Sequence, residues 1–421
     1  MAENKVIEVL KPATIKHNNY RSILLTIKNI GPCTVTKISE QLNLSKTAIS
    51  KAIVSLQAQG FIEVVGKGDS SATGGKPADL YAINPICRYT CAITFYHEVI
   101  IVRICDFLGN TVIQTTYSHT ATYNLNSEIL AKYSSEWILN TCTSGSIPPE
   151  KICGIIFLYD INNNGTFSAT KLLHDIKTNA QAQTQLNQFI RQYLKINCPV
   201  AICQSKNMRG YAVLQEDNNR REKMVAVVSI MKESVSGCLL HNGKIIEGKT
   251  ESALNIAHVP VSDDKKHLCS CGQYGCYSAV TLKDNILADL YDAFKNGEPS
   301  ILLNKSKERT LHIGDVMNAY AQGDELAIKT MDKVLSYHVK LIYLIYLMLN
   351  PDEIVFQVGM GGAEFHRIEL NKRFSTLQLP NKSSEPPITL SVSNLEPFDA
   401  TAIGAANYCI DLYLSLPDCF G

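Results

Sequence analysis

The clearest chemistry in the chain belongs to four residues near its middle. His258 precedes Cys269, Cys271 and Cys276 in the segment AHVPVSDDKKHLCSCGQYGCYS. Three thiolates and an imidazole satisfy a tetrahedral Zn²⁺, and Gly272 and Gly275 let the backbone wrap closely round the ion. A set that fills all four positions leaves none for water, so the expected site is structural. His267 is a rival nitrogen donor, but it stands two residues before Cys269, where the chelate would be tight. The bland alternative is three incidental thiols. The remaining cysteines are scattered, and Cys33, Cys91, Cys153 and Cys238 sit singly in apolar runs, as small buried hydrophobes do. Fourteen cysteines so distributed over 421 residues fit a reducing cytoplasm with one metal site, not a disulfide scaffold.

A second constellation lies near the N-terminus. Lys46, Thr47, Ser50 and Lys51 recur at the spacing of one helix face, with Ile49, Ile53 and Leu56 on the opposite side. Short hydroxyls and long cations at the start of a helix can meet base edges and phosphates. The elements needed to present that face are legible. A helical pattern over His17 to Ile30 stops at Gly31-Pro32. Thr34 can cap a short helix with Val35, Ile38 and Leu42 inside, Asn43-Leu44 makes a tight turn, and Ser45 caps the third helix. Two short helices joined by such a turn have the helix-turn-helix layout. Alternation at 61–65 and 80–83 then predicts two strands, with GKGDSSATGGKP between them as a wing. Lys67 and Lys76 on that loop are placed to reach the backbone or minor groove. Residues 1–85 hold ten Lys or Arg against six Asp or Glu, a local basic bias in a chain whose net charge is only +1. The competing description is a generic helical subdomain with a solvated basic face.

Behind this domain, residues 86–421 read as α/β. Strand patterns at 89–96, 99–105 and 111–114 come first, followed by helices alternating with short apolar strands at 152–158, 200–203, 225–230 and 354–357. A helix over 328–349, with Leu335, Val339, Ile342 and Ile345 on one face, serves either core or interface. The N-terminal MAENKVIEVLK has no signal-peptide apolar region, and the longest apolar run, Leu341 to Leu349, is half of what a membrane span requires. A soluble cytoplasmic protein with no membrane partner is the expectation.

The C-x-C-G-x-x-G-C segment with its upstream His resembles the ROK family (repressors, open reading frames and sugar kinases). NLSKTAISKAIVSLQAQGFIEVVG and GGKPADLYAIN are similar to that family's repressor branch, and NGKIIEG, NPDEIVFQVGMGGA and TAIGAA to its later segments. The resemblance covers nearly the whole chain. It implies a two-lobed actin-like ATPase fold with mixed sheets, the lobes at about 86–203 plus 390–421 and about 204–389. It also assigns His258 to the zinc at the wall of a sugar pocket.

Departures from the kinase pattern decide the expected function. Family kinases carry an Asp-containing Gly loop after the first strand; here Thr94 holds the Asp position in AITFYHEVI. Their Asn-Asp pair, with the Asp as general base, is matched by Gln204 and Ser205, and a serine cannot accept that proton near neutral pH. Their Gly-Thr-Gly phosphate loop is matched by Lys232-Glu233-Ser234, where a glutamate would repel a polyphosphate. Two sugar-binding Glu positions hold Asn255 and Ser278. Either the sugar pocket has decayed, or Gln204, Ser205, Asn255 and Ser278 recognise a different sugar or sugar derivative. The resulting expectation is a transcriptional repressor of carbohydrate-related genes, without enzyme activity, binding a palindromic double-stranded operator as a homodimer or tetramer. A sugar kinase with an appended DNA-binding domain, and a regulator answering to a protein partner, stand as alternatives.

Overall fold

The structure, a computed structural model, describes residues 12–68, 77–96, 99–118, 126–160, 168–249, 251, 253–359, 361–377 and 388–420. Helices α1 (Pro12–Ile30), α2 (Val35–Leu42) and α3 (Lys46–Ala58) begin the chain, and strands β1 (Ile62–Lys67) and β2 (Asp79–Ile83) form an antiparallel hairpin. Caps explain the helix boundaries: Thr34 accepts from Lys37 N and Ser45 from Ala48 N, satisfying amides that the first turn leaves free. Asn43 ends α2 in the left-handed region at φ 52°, which asparagine tolerates, so that only three residues separate the helices.

The elements that follow are β3 (Tyr89–Tyr96), β4 (Val99–Asp106), β5 (Thr111–Ser118), α4 (Ser127–Ser144), β6 (Ile152–Tyr159), α5 (Ser168–Thr178), α6 (Ala180–Leu194) and β7 (Val200–Gln204). Then come α7 (Ser205–Glu216), β8 (Met224–Ile230), β9 (Val235–His241), β10 (Lys244–Ile246), α8 (Tyr277–Thr281), α9 (Lys283–Lys295), α10 (Leu302–Glu308), α11 (Ile313–Ala321), α12 (Glu325–Leu349), β11 (Glu353–Val358), α13 (Ala363–Phe374), β12 (Thr389–Val392) and α14 (Pro397–Tyr413). The strands form two five-stranded sheets of the same order, β5-β4-β3-β6-β7 and β10-β9-β8-β11-β12. In each, an antiparallel meander is extended by parallel strands: β3 pairs β6 in parallel, and β11 pairs both β8 and β12 in parallel. Parallel strands read as continuous apolar runs because both faces are covered, and all of β6 and β11 is buried.

Two compact units result, one of residues 1–159, 168–202 and 406–421, the other of 160–167 and 203–405. The return to the first unit therefore falls at 406, where the sequence reading had put it near 390. β12 pairs with β11 in the second sheet, and the start of α14 packs on α7 where Gly404 meets Met208, so both remain in the second unit. Nor do residues 1–85 keep a core of their own. Ile23, Ile49, Leu56 and Phe61 share one apolar cluster with Phe107, Cys153, Ile410, Leu414 and Phe420. The Phe61 ring lies 5.7 Å from that of Phe107 and 5.7 Å from that of Phe420, and His17 Nε2 is 2.9 Å from Leu416 O. In the second unit, α12 packs Leu335, Leu341, Ile342 and Ile345 against the sheet, which assigns this face of the helix to the core. Among the described residues no helix is long and apolar enough to cross a membrane.

Candidate nucleic-acid interface and metal centre

The third helix shows how local chemistry builds an exposed polar and basic face. Ile49, Ile53 and Leu56 are buried, which turns Lys46, Thr47, Ser50 and Lys51 outward. Ser50 Oγ donates to Lys46 O at 2.8 Å, so its hydroxyl offers a ligand lone pairs and not a free proton. Two exposed apolar residues on this helix, Ala48 and Val54, did not enter the sequence reading; Val54 is 66% exposed. An isolated apolar side chain beside polar neighbours can meet a thymine methyl, and the break in the inward pattern at 54 was the signal. Lys67 departs from expectation. It is the last residue of β1 rather than part of the loop, and it pairs with Asp79 across the hairpin. The register of the hairpin, which local composition does not encode, sets that pairing. Lys76 lies outside the described residues.

His258, Cys269, Cys271 and Cys276 meet at one point, their ligand atoms all within 4.8 Å of one another. Cys269 Sγ is 3.4 Å from His258 Nδ1, and Cys271 Sγ is 3.6 Å from Cys276 Sγ. The loop is held by short-range bonds: Cys269 N donates to Gln273 O at 2.8 Å, Gly272 N to Cys269 O at 2.9 Å, and Tyr277 N to Val259 O at 2.8 Å. Gly275 has φ +75°, and a Cβ there would overlap Ser262 O, so only glycine fits. Burial raises the Cys269 thiol, but the Cys271 amide, Ser278 hydroxyl, Cys271 thiol and His258 outweigh it and bring the pKa to about 6. Cys276 is pushed up to about 12 by burial and by its two neighbouring thiols. Three crowded thiols ionise together only beside a cation, and this donor set, sulfur-rich with one imidazole, can hold a metal ion. His267 is not among the four; its Nε2 lies 2.8 Å from Asp289 Oδ1.

The remaining positions separate into two places. Gln204 caps α7 without a side-chain capping bond, and its Nε2 donates to Glu251 Oε2 at 3.2 Å, while Ser205 opens the helix. Asn255 is exposed ahead of the turn carrying His258, and Ser278 Oγ lies 3.5 Å from Cys269 Sγ, beside the thiolates. Among the described residues no hydrogen bond joins Gln204 or Ser205 to Asn255 or Ser278. The kinase-matching positions are equally plain. Thr94 sits within β3, paired with Ile101 and Leu158, and only two residues separate β3 from β4. Lys232, Glu233 and Ser234 form an exposed turn closed by Met231 N donating to Ser234 O at 2.8 Å. Asp160, Lys206, Arg209, Ser236 and Glu251 gather around the start of α7. Sequence reasoning missed them because they come from separate segments; Lys206 and Arg209 on either side of Met208, ahead of the apolar Tyr211-Ala212-Val213-Leu214, were the available signal.

Comparison with known proteins follows the same division. The ROK family model matches residues 154–411, and the MarR family model matches residues 20–66. The xylose repressor of Bacillus subtilis is 21% identical over 420 residues, covering 97% of this chain and 99% of that protein. A glucokinase of Halalkalibacterium halodurans is 28% identical over 130 residues, 31% of this chain and 39% of that enzyme. Among solved structures, a ROK family transcriptional regulator described as a homologue of the E. coli MLC protein superposes with a TM-score of 0.69 at 17% identity, covering 97% of this chain and all of that one. A ROK family glucokinase from Streptomyces griseus gives 0.54 at 14% identity over 76% of this chain and 98% of its own. With its body matched by that family's model over more than half its length, the chain belongs to the ROK family.

Proposed function

We propose that this chain is a DNA-binding transcriptional repressor of carbohydrate-related genes, whose body senses a small molecule and no longer transfers phosphate. The exposed face of α3 carries the reading: a capped helix, anchored by buried Ile49, Ala52, Ile53 and Leu56, presents Lys46, Thr47, Ser50 and Lys51 ahead of a β-hairpin wing. That arrangement suits entry of the helix N-terminus into the major groove. The full-length similarity to a protein named a xylose repressor supports it. A homodimer or tetramer is the working assembly, because paired modules read a palindrome with half-sites an integral number of turns apart. The His258, Cys269, Cys271 and Cys276 cluster holds one structural Zn²⁺ in this reading, and the protein works in the cytoplasm. The test is selection from genomic fragments with purified full-length protein. An enriched palindrome supports the proposal, and binding without sequence preference overturns it.

The local likeness to a glucokinase favours one alternative, a sugar kinase with an appended DNA-binding domain. Thr94, Ser205 and Lys232-Glu233-Ser234 argue against it, since they supply neither a metal-binding carboxylate, a general base nor a phosphate cradle. ATP-dependent phosphorylation of a hexose separates the two readings.

A further inference from the structure

Among the large apolar side chains of the described residues Val54 is the most exposed, at 66%. Its place gives that exposure a meaning that a scattered surface valine lacks. On α3 it stands seven residues after Thr47, four after Ser50 and three after Lys51, spacings that put side chains on one helical stripe. Ile49, Ala52, Ile53 and Leu56 fill the opposite face, so Val54 has no place in the core. The outward stripe is therefore polar and basic in its first half and apolar beyond, where exposed Ala58 follows.

Helix stability does not account for this residue. Valine is a poorer helix former than alanine, and exposed interior positions are where propensity decides. What valine supplies is two methyls in a fixed direction. Its branched Cβ holds one χ1 rotamer in a helix about nine times in ten, so little freedom is lost when it is covered. In the major groove only one base offers an apolar partner, the C5-methyl of thymine. The edges of guanine, adenine and cytosine present N–H donors or lone pairs, which a valine would strip of water and leave unpaired. One contact thus favours thymine and disfavours the other three bases. Ser50, whose hydroxyl is held by Lys46 O, and Lys51 border the valine with groups that suit base edges and phosphate. Thr47 to Val54 spans about 10 Å of helix axis, or about three base-pair steps.

We propose that Val54 reads the C5-methyl of a thymine in the operator, about three base pairs from the position met by Thr47, and so specifies one A·T pair. The proposal deepens the repressor reading and rests on it for the operator itself. The test takes the full-length protein and the operator enriched from genomic fragments, and replaces each thymine in turn by deoxyuridine, which removes the methyl and keeps every hydrogen-bonding group. Replacement at one position is expected to weaken wild-type binding about fourfold, the contribution of one buried methyl. Val54→Ala should lose a similar factor on the thymine operator and bind the thymine and deoxyuridine operators alike, with wild-type circular dichroism, because alanine suits an exposed helix position. Wild-type binding that ignores every thymine methyl overturns the proposal, as does a methyl sensitivity that Val54→Ala retains in full. Were Val54 a contact to another protein chain, Val54→Ala would change the oligomeric state and leave the methyl sensitivity intact, which also overturns it. The two readings fail differently. An operator bound without regard to thymine methyls sinks this assignment and leaves the repressor standing, whereas a wild-type protein that selects no operator sinks both.

Discussion

Substituting Gly404 by alanine tests the packing that holds α7 in place. A Cβ at this position of α14 would overlap the carbonyl oxygen of Met208, lie 2.7 Å from its carbonyl carbon and stand 3.0 Å from Ala212 N. All three atoms belong to the backbone of α7, so no rotamer change can relieve the clash. Ordinary contact begins near 3.4 Å and the Met208 oxygen would stand at 1.8 Å, so the two helices must part by about 1.6 Å at their closest approach. Separation of close-packed helices opens voids along the whole contact, and overpacking of this kind costs typically about 1–3 kcal/mol. The purely backbone contact puts Gly404→Ala near the top of that range, about 3 kcal/mol. At a urea slope of about 3 kcal/mol/M this lowers the unfolding midpoint by about 1 M. Gly314→Ala is the control, since a Cβ there meets nothing within 4 Å and the residue lies in α11. Helix propensity makes it neutral or stabilising by up to about 1 kcal/mol. A Gly404→Ala protein with an unchanged midpoint, or a Gly314→Ala protein equally destabilised, would refute the packing argument.

Three further outcomes follow from the second unit. Elemental analysis of chelator-washed protein is expected to find close to one zinc per chain, and Cys276→Ser to lose it with a fall in stability; a folded, metal-free wild type contradicts this. His366 is fully buried and its pKa falls to about 4, against an ordinary 6.5, despite the hydrogen bond between its Nδ1 and Gly362 O. The unfolded chain then binds the extra proton between those values, so stability is complete above pH 6.5 and drops by roughly 2 kcal/mol by pH 5. Denaturant titrations at the two pH values should show that slope, and His366→Gln should flatten it. Coupled-enzyme assays with ATP and common hexoses should show no turnover, and a measurable rate from highly purified protein would restore the kinase alternative.

Local rules carried much of the N-terminal module. Ser45 and Thr34 as caps, Asn43 at the turn and the inward set Ile49, Ile53 and Leu56 are all encoded within a few residues of where they act. The His258, Cys269, Cys271 and Cys276 cluster was legible for a similar reason, as three of its four members lie within eight residues and only His258 comes from further away. What the sequence concealed depends on distant partners. The core shared by Phe61, Phe107, Ile410 and Phe420 joins segments hundreds of residues apart, and nothing in any of them alone announces it. The pairing of Lys67 with Asp79 depends on hairpin register. Lys206 and Arg209 were visible in the sequence, but their surroundings emerge only when β9, the segment at Glu251 and Asp160 come together around α7.

The central claim rests on the outward face of α3, and its most direct test is a fluorescence titration of the selected operator at two salt concentrations. Thr47→Ala should cost about 1–3 kcal/mol on the selected site and relax preference at one base position. Lys46→Ala should weaken binding to all sequences alike and reduce the salt slope by about one. Lys51→Ala should show one of these two signatures, according to whether it meets a guanine edge or a phosphate. If Thr47→Ala and Lys51→Ala both hold the operator as tightly as wild type, α3 does not read DNA and the account fails.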